Sequence, residues 1–401
     1  MTRRHDIDAL RVLAFALLIL YHLGMAYVDG WGFHLKSVHT TAGLQWPMRL
    51  VNGWRMSLLF LISGVAIALL GPGLRRGRFA LMRSWRLLLP LLFGMFVVVP
   101  IQPYCEAVSN GHAGPGFWSF LLRYWQVRPW PQGSFAGATF GITWNHLWYL
   151  AYLWCYSMLL IAAKPLLDAA PMRRATGRLA RAPAWVLIGL PAAVLLLWLA
   201  WLAPTHPATN TLVNDRYQHA KYLTVFLIGY LLGREPAFWE RVMRLRWTSL
   251  VAVLAAVSWY FLLEALGAWL PADSRLRTWP EPFWELQSKF CEMLYLWGML
   301  LALLGWARRY LDRPFHWLPY CTEAVFPWYI LHQSLLIAAL FWLKPLQLGP
   351  VWEPLLALIA TVAGCLLLHE YLIRRVRWLR PLFGLKAATG VRPSRHRIGT
   401  G

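Results

Sequence analysis

Stretches of about twenty apolar residues recur along this chain, each closed off by a short cluster of arginines. At 1.5 Å per residue, such a stretch matches the hydrocarbon core of a bilayer. In lipid a single segment satisfies its own backbone only as a helix. The 401 residues are 59% hydrophobic and 14% charged, so the two or three soluble domains that length alone allows are set aside. The pattern predicts an all-α polytopic membrane protein, one bundle of about ten transmembrane helices over residues 1–380, followed by a basic cytoplasmic tail over 381–401. The formal charge of +22 does not point to nucleic acid, because the cations lie between apolar runs and not across one soluble face.

In order, the spans are read at about Ala9–Val28, Arg49–Leu70, Leu87–Val99, His146–Lys164, Trp185–Leu202, Lys221–Gly233, Trp247–Leu266, Leu286–Trp306, Tyr320–Leu343 and Val351–Ile373. The sixth is short for a crossing. With the N-terminus inside, 28 of the 39 Lys and Arg fall on inner segments, which supports ten crossings and two cytoplasmic termini. Arg3 and Arg4 before an apolar run resemble a signal peptide, but the run is long, carries His22 and lacks a small-x-small cleavage site, so it reads as a retained first helix. The segment from Pro100 to Asn145, rich in Gly, Pro and Trp, reads as a packed lid over an outer cavity. His34 and His39 read as solvated loop histidines. Cys105, Cys155, Cys291, Cys321 and Cys365 show no pairing pattern, so neither a disulfide framework nor a metal site is predicted.

The first span carries the strongest chemical signal. His22 lies about two thirds of the way across it, where an ionisable group is costly and by default functional. Arg11 is eleven residues earlier, about 1100° of helical rotation, so the two project within about 20° of each other. Asp8 lies about 40° from His22 on the same geometry. A lone histidine could be satisfied by a neighbouring helix; an acid, a guanidinium and an imidazole on one face favour function. Arg55 sits inside the second span, free to snorkel or to face a polar cavity. Arg83 and Arg86 share a helical face just before the third apolar run, a fork suited to phosphate; Arg75 and Arg76 precede them. His332, in the ninth span, lies about 18 Å from its inner end, level with His22 at about 20 Å. Glu292 and His146 could line the same cavity from above. A histidine of near-neutral pKa serves as a general base.

These residues resemble the membrane-bound acyltransferase 3 family. Its first-helix Arg/Lys-x10-His motif corresponds to Arg11 and His22, preceded by Asp8-Ala9-Leu10-Arg11. Its Phe-x-x-Ser-Gly motif corresponds to Phe60–Gly64, and its Arg-x-x-Arg motif to Arg83–Arg86, followed by Pro90. A His-Leu-Trp-aromatic-Leu start falls at His146–Leu150 and a Tyr-x-Leu-His element at Tyr329–His332. The stretch from Glu323 to Gln333 is similar to the branch assigned to periplasmic glucan biosynthesis, the glucan biosynthesis protein C type, with succinyl transfer. The resemblance implies an enzyme of a bacterial inner membrane that moves an acetyl or succinyl group from cytoplasmic acyl-CoA to a hydroxyl of an extracytoplasmic carbohydrate. Acyl-CoA is then a donor substrate, with no permanently bound cofactor. Together these readings place His22, Arg11 and Asp8 at the chemistry, Arg83, Arg86, Arg75, Arg76 and Ser63 around the donor, and His146, Trp148, Glu292, His332 and Arg55 around the acceptor. The rival class is a proton-coupled transporter or flippase using the same buried groups without acyl chemistry; no inverted repeat or pair of broken helices supports it.

Overall fold

The computed structural model describes residues 3–70, 75–269 and 281–386. Asp273, Arg275 and Arg277 of the predicted outer loop and most of the predicted tail lie outside the described residues. The helices are α1 (His5–Tyr27), α2 (Gln45–Ala68), α3 (Arg76–Phe93), α4 (Ile101–Ser109), α5 (Phe117–Tyr124), α6 (Trp148–Leu167), α7 (Ala170–Ala180) and α8 (Ala184–Leu202). After them come α9 (Arg216–Leu232), α10 (Pro236–Trp269), α11 (Glu281–Tyr310), α12 (Leu318–Leu343), α13 (Gly349–Leu367) and α14 (Leu379–Leu382). No strand occurs among the described residues, whose one β feature of this kind is an isolated bridge between Val28 and Thr41. The protein is a multi-pass, all-α membrane protein.

Nine helical stretches among the described residues are long and apolar enough to cross a bilayer. The sixth predicted span, α9, has 17 residues and includes Arg216, His219 and Lys221, so length and composition alone do not make it a tenth. What holds α9 is a backbone-to-backbone approach to α2. A Cβ at Gly64 would sit 2.0 Å from the Phe226 carbonyl oxygen, and one at Gly229 would sit 2.3 Å from that of Leu61. Small residues let two helices approach closely where lipid offers no hydrophobic drive for association. The Phe-x-x-Ser-Gly element thus has three local functions: Phe60 is fully buried and stacks on Tyr222, Ser63 bonds the Tyr149 hydroxyl at 2.8 Å, and Gly64 admits α9. Helices α10 and α11 run antiparallel on the same principle, Gly298 facing Ser249 and Val253 while Gly305 faces Val242.

The third crossing does not stop at Pro100. It continues from Arg76 to Ser109 through a π-turn at Gly94–Val98. Pro100 has no N–H to offer the Phe96 carbonyl four residues back. The π-turn sends the Val99 N–H to Gly94 O at 2.8 Å, which also frees the Met95 carbonyl. Both released oxygens are taken up by the end of α5: Trp125 Nε1 donates to Phe96 O at 2.8 Å and the Tyr124 hydroxyl to Met95 O at 3.4 Å. The expected lid is therefore shorter than predicted, but it is packed, with Phe120, Tyr124, Trp130 and Phe135 buried together against Ala107 of α4. His34 is not simply solvated; its Nδ1 lies 2.6 Å from Glu106 Oε2, which pins the loop after α1 to α4. The stretch 236–246, expected as an inner loop, is the first part of α10. Helix α12 packs against α1, α4 and α13, which brings the residues of the first and ninth predicted spans together.

Overpacking a close helix contact costs about 1–3 kcal/mol or more. Gly64→Ala is expected to lower the thermal midpoint of the detergent-purified protein clearly, whereas Gly189→Ala, inside α8 with no atom within 4 Å of the added carbon, does not lower it. Thermal unfolding followed by a fluorescent thiol probe checks the pair.

Candidate active site

Three histidines from three parts of the chain meet between α1, α12 and the start of α6. His22 Nδ1 lies 2.8 Å from His332 Nε2, with the ring planes 13° apart. The His146 ring centroid is 5.0 Å from that of His332 and 6.4 Å from that of His22. The equal depth of His22 and His332 along their helices thus corresponds to a direct bond.

The partners of each ring fix its proton. His332 Nδ1 lies 2.8 Å from Tyr329 O and 3.1 Å from Trp328 O. Carbonyl oxygens only accept, so His332 Nδ1 carries the hydrogen and, in the neutral ring, Nε2 is an acceptor. No carboxylate bonds either ring among the described residues, and an unpaired buried charge is expensive, so both rings are assigned as neutral. His22 Nδ1 must then donate to His332, which leaves the lone pair on His22 Nε2. No hydrogen-bond partner engages this nitrogen among the described residues, and His22 is only half-buried. His146 differs. Its Nε2 donates to Tyr329 O at 3.0 Å and Ile330 O at 3.2 Å, and its Nδ1 accepts from Gln102 Nε2 at 3.3 Å. Both nitrogens are committed, and the ring is buried instead of lying at an outer interface.

The local sequence explains His146. Asn145 adopts φ +43°, a left-handed conformation that asparagine tolerates better than most residues. It opens the short 3-10 turn Asn145–Leu147 and throws His146 inward, where the Tyr329 hydroxyl donates to the His146 carbonyl at 2.5 Å. Around it lies a polar network that sequence reading missed. Gln102 Nε2 donates to Ser334 Oγ at 2.8 Å, and Gln102 Oε1 accepts from Asn145 Nδ2 at 2.8 Å and Gln333 Nε2 at 3.1 Å. Each of these residues is an ordinary helix or turn residue alone; only their convergence is informative.

About 16 Å along α1 from His22, at the helical rise, lies the arginine layer. Arg11 bonds Asp8 Oδ1 at 3.2 Å, and Asp8 also receives Arg3 at 2.9 Å, so Asp8 is an anchor for cations and not part of the histidine cluster. Arg83 donates to Ser157 Oγ at 3.1 Å. Arg11 and Arg83 are each within electrostatic range of Arg86 and of the Tyr149 hydroxyl, to which Ser63 is bonded. Arg86 is exposed, as are Arg75 and Arg76 near the start of α3. Beside His22, Arg55 covers the Tyr21 ring at 3.5 Å and bonds Asn52 at 2.9 Å; it neither snorkels free nor bonds the histidines. Glu292 is exposed and interacts with Lys221 and Lys289, not with the histidines. Trp148 belongs to an aromatic cluster with Tyr152, Tyr222 and Phe60.

Because His146 is bonded at both nitrogens while His22 keeps one free, the two substitutions should separate in stability. His146→Ala removes three hydrogen bonds from a buried site and is expected to cost about 1–3 kcal/mol. His22→Ala removes one bond and is expected to shift the thermal midpoint by less. Equal shifts in matched thermal melts would show that His146 is not held by more bonds than His22.

The site thus holds a histidine with an unengaged ring nitrogen, fixed by a second histidine that is itself locked to backbone carbonyls. Comparison with known proteins gives the chemistry a class. The family model described as an acyltransferase domain, acyltransferase 3, matches residues 4–370. No curated protein and no solved structure matches the chain. The matched region takes in His22, His146 and His332 as well as Arg11, Arg83 and Arg86, and the chain accordingly belongs to the acyltransferase 3 family as a membrane acyltransferase, which joins an acyl donor to an acceptor.

Proposed function

We propose that the protein transfers a short acyl group, acetyl or succinyl, from acyl-CoA to a hydroxyl of an extracytoplasmic carbohydrate, with His22 Nε2 as the general base. The observation that carries this reading is the bond chain His22 Nδ1–H to His332 Nε2 and His332 Nδ1–H to the Trp328 and Tyr329 carbonyls. It leaves one nitrogen of the site both basic and free. In the step, His22 Nε2 takes the proton of the acceptor hydroxyl as that oxygen attacks the thioester carbonyl. The tetrahedral intermediate then expels the CoA thiolate, which takes the proton from His22. His332 is a positioning residue: it sets the ring orientation and proton location of His22 without facing the acceptor.

The arginine layer supports a donor entering from the basic side of the bilayer. Arg11, Arg83 and Arg86 together suit a diphosphate, and the separation of about 16 Å from Arg11 to His22 suits an extended pantetheine arm. The arginine distribution supports a cytoplasmic position for this layer and for both termini. No contact of the histidine cluster favours the transporter reading.

General-base contributions are typically about 10²–10⁴-fold in rate. His22→Gln is expected to lose at least about two orders of magnitude in kcat at saturating donor and acceptor, with membrane insertion intact. His332→Gln, which keeps an acceptor for His22 Nδ1–H, should retain more activity than His332→Ala. Acyl transfer by membranes carrying each variant is the measurement, and near-normal turnover by His22→Gln would remove the base assignment. Arg86→Ala should raise KM for acyl-CoA about tenfold or more, the loss of one hydrogen bond between charged groups.

A further inference from the structure

A cavity of about 370 Å³ opens at the ends of α2, α6 and α9 and the start of α3, on the arginine side of the bundle. Its floor is apolar: Ile67, Ala68, Leu69, Leu160 and Ile161 together with the rings of Phe79 and Tyr230. Its rim is cationic. Lys164 and Arg234 both bond Asp168, which the Tyr230 hydroxyl also reaches at 3.1 Å. Arg76 and Arg173 also line it, exposed and without an ion-pair or hydrogen-bond partner for their side chains among the described residues. Glu235 is the remaining acid. Of the six charged lining groups four are positive and two negative, so two positive charges are left uncompensated, and they belong to the two free arginines.

The cavity is in line with the arginine layer and the histidines. From His146 in the turn before α6, the order along α6 is Tyr149, Ser157, Leu160 and Lys164, so the cavity wall begins about 5 Å beyond the serine that holds Arg83. On α3, Arg76 lies seven residues from Arg83, about 10 Å. A ligand with phosphates at Arg83 and Arg86 has its far end here.

We propose that this cavity binds the nucleotide end of the acyl-CoA donor, the adenine ring against the apolar floor and the ribose 3′-phosphate against Arg76 and Arg173. The assignment rests on the acyl-CoA reading above and adds the part of the donor farthest from the reacting carbon. An apolar slot floored by two aromatic rings and edged by two unpaired guanidiniums matches a purine carrying a phosphate. The shape asks for a flat apolar body joined to an anion, which pantetheine alone does not provide.

The test is titration calorimetry on the full chain in neutral-lipid nanodiscs, with CoA, adenosine 3′,5′-bisphosphate and pantetheine as separate probes. The unsubstituted protein should bind CoA and the bisphosphate. Arg76→Gln and Arg173→Gln, both at exposed positions, should each weaken these two probes about tenfold and leave pantetheine unchanged. Ala68→Trp fills the floor and should abolish bisphosphate binding. Failure of the unsubstituted protein to bind CoA would overturn the donor reading itself. Binding of CoA without the bisphosphate, or normal bisphosphate binding in all three variants, would overturn the cavity assignment alone. An anionic lipid headgroup presents the same phosphate, so the series is repeated with phosphatidylglycerol in the disc. Retention of that lipid with no response to the bisphosphate would give the cavity to lipid and overturn the proposal.

Discussion

The bond between His22 and His332 is the interaction on which the site depends, and its direction is set by the helix that carries His332. The carbonyls of Trp328 and Tyr329 hold the hydrogen on His332 Nδ1. His332 can then only accept from His22, and His22 can only present Nε2 outward. The same Tyr329 carbonyl receives His146 Nε2, so one peptide oxygen on α12 orders two of the three rings. In water such a chain of neutral hydrogen bonds would compete with solvent. In a bundle interior the alternative is an unmade bond, which is far more costly than the net worth of the bond that replaces it.

The bilayer imposes the same accounting on the main chain, and the structure meets it away from the histidines with side chains from the lid. Pro100 and the π-turn before it release two carbonyls inside a crossing, and Tyr124 and Trp125 bond both. Lid and crossing are therefore one unit. The helix that contributes Gln102 to the histidine network continues past a proline, with the end of α5 bonding the carbonyls released there. This links the outer segment to the orientation of His146 through named bonds: Tyr124 fixes the Thr143 N–H at 3.0 Å, Thr143 bonds Asn145 at 2.7 Å, and Asn145 bonds Gln102.

The crossings are legible because bilayer thickness writes itself into run length, and helical phase alone puts Arg11 and His22 on one face. Depth arithmetic brings His22 and His332 level. What run length and phase do not carry is contact across helices. His146 reads as a helix-start residue, and nothing in His-Leu-Trp-Tyr-Leu says that the ring turns inward onto α12. Pro100 reads as a stop, since the sequence names the lost N–H but not the tryptophan that compensates for it. Glu292 reads as a cavity acid by depth, but depth does not fix azimuth against a neighbour, and Lys221 on α9 faces it. Helix α9 is short for a crossing, and glycines on two distant segments, Gly64 and Gly229, set its place in the bundle.

The distribution of charge along the bundle is itself an argument about order. Most of the Lys and Arg residues fall on the inner segments and in the layer near Tyr149, while the histidine cluster contains no formal charge in the neutral assignment. A polyanionic donor held at the arginine end would keep its phosphates away from His22 while the thioester advanced, so no phosphate need be desolvated at the reacting centre. The base would likewise acquire its charge only transiently, within reach of the His332 nitrogen that accepts from it. Separating the charged part of a substrate from the place of reaction by a helix length is what allows group transfer deep in a low-dielectric medium, where a phosphate next to an imidazolium would trap the proton it needs to return.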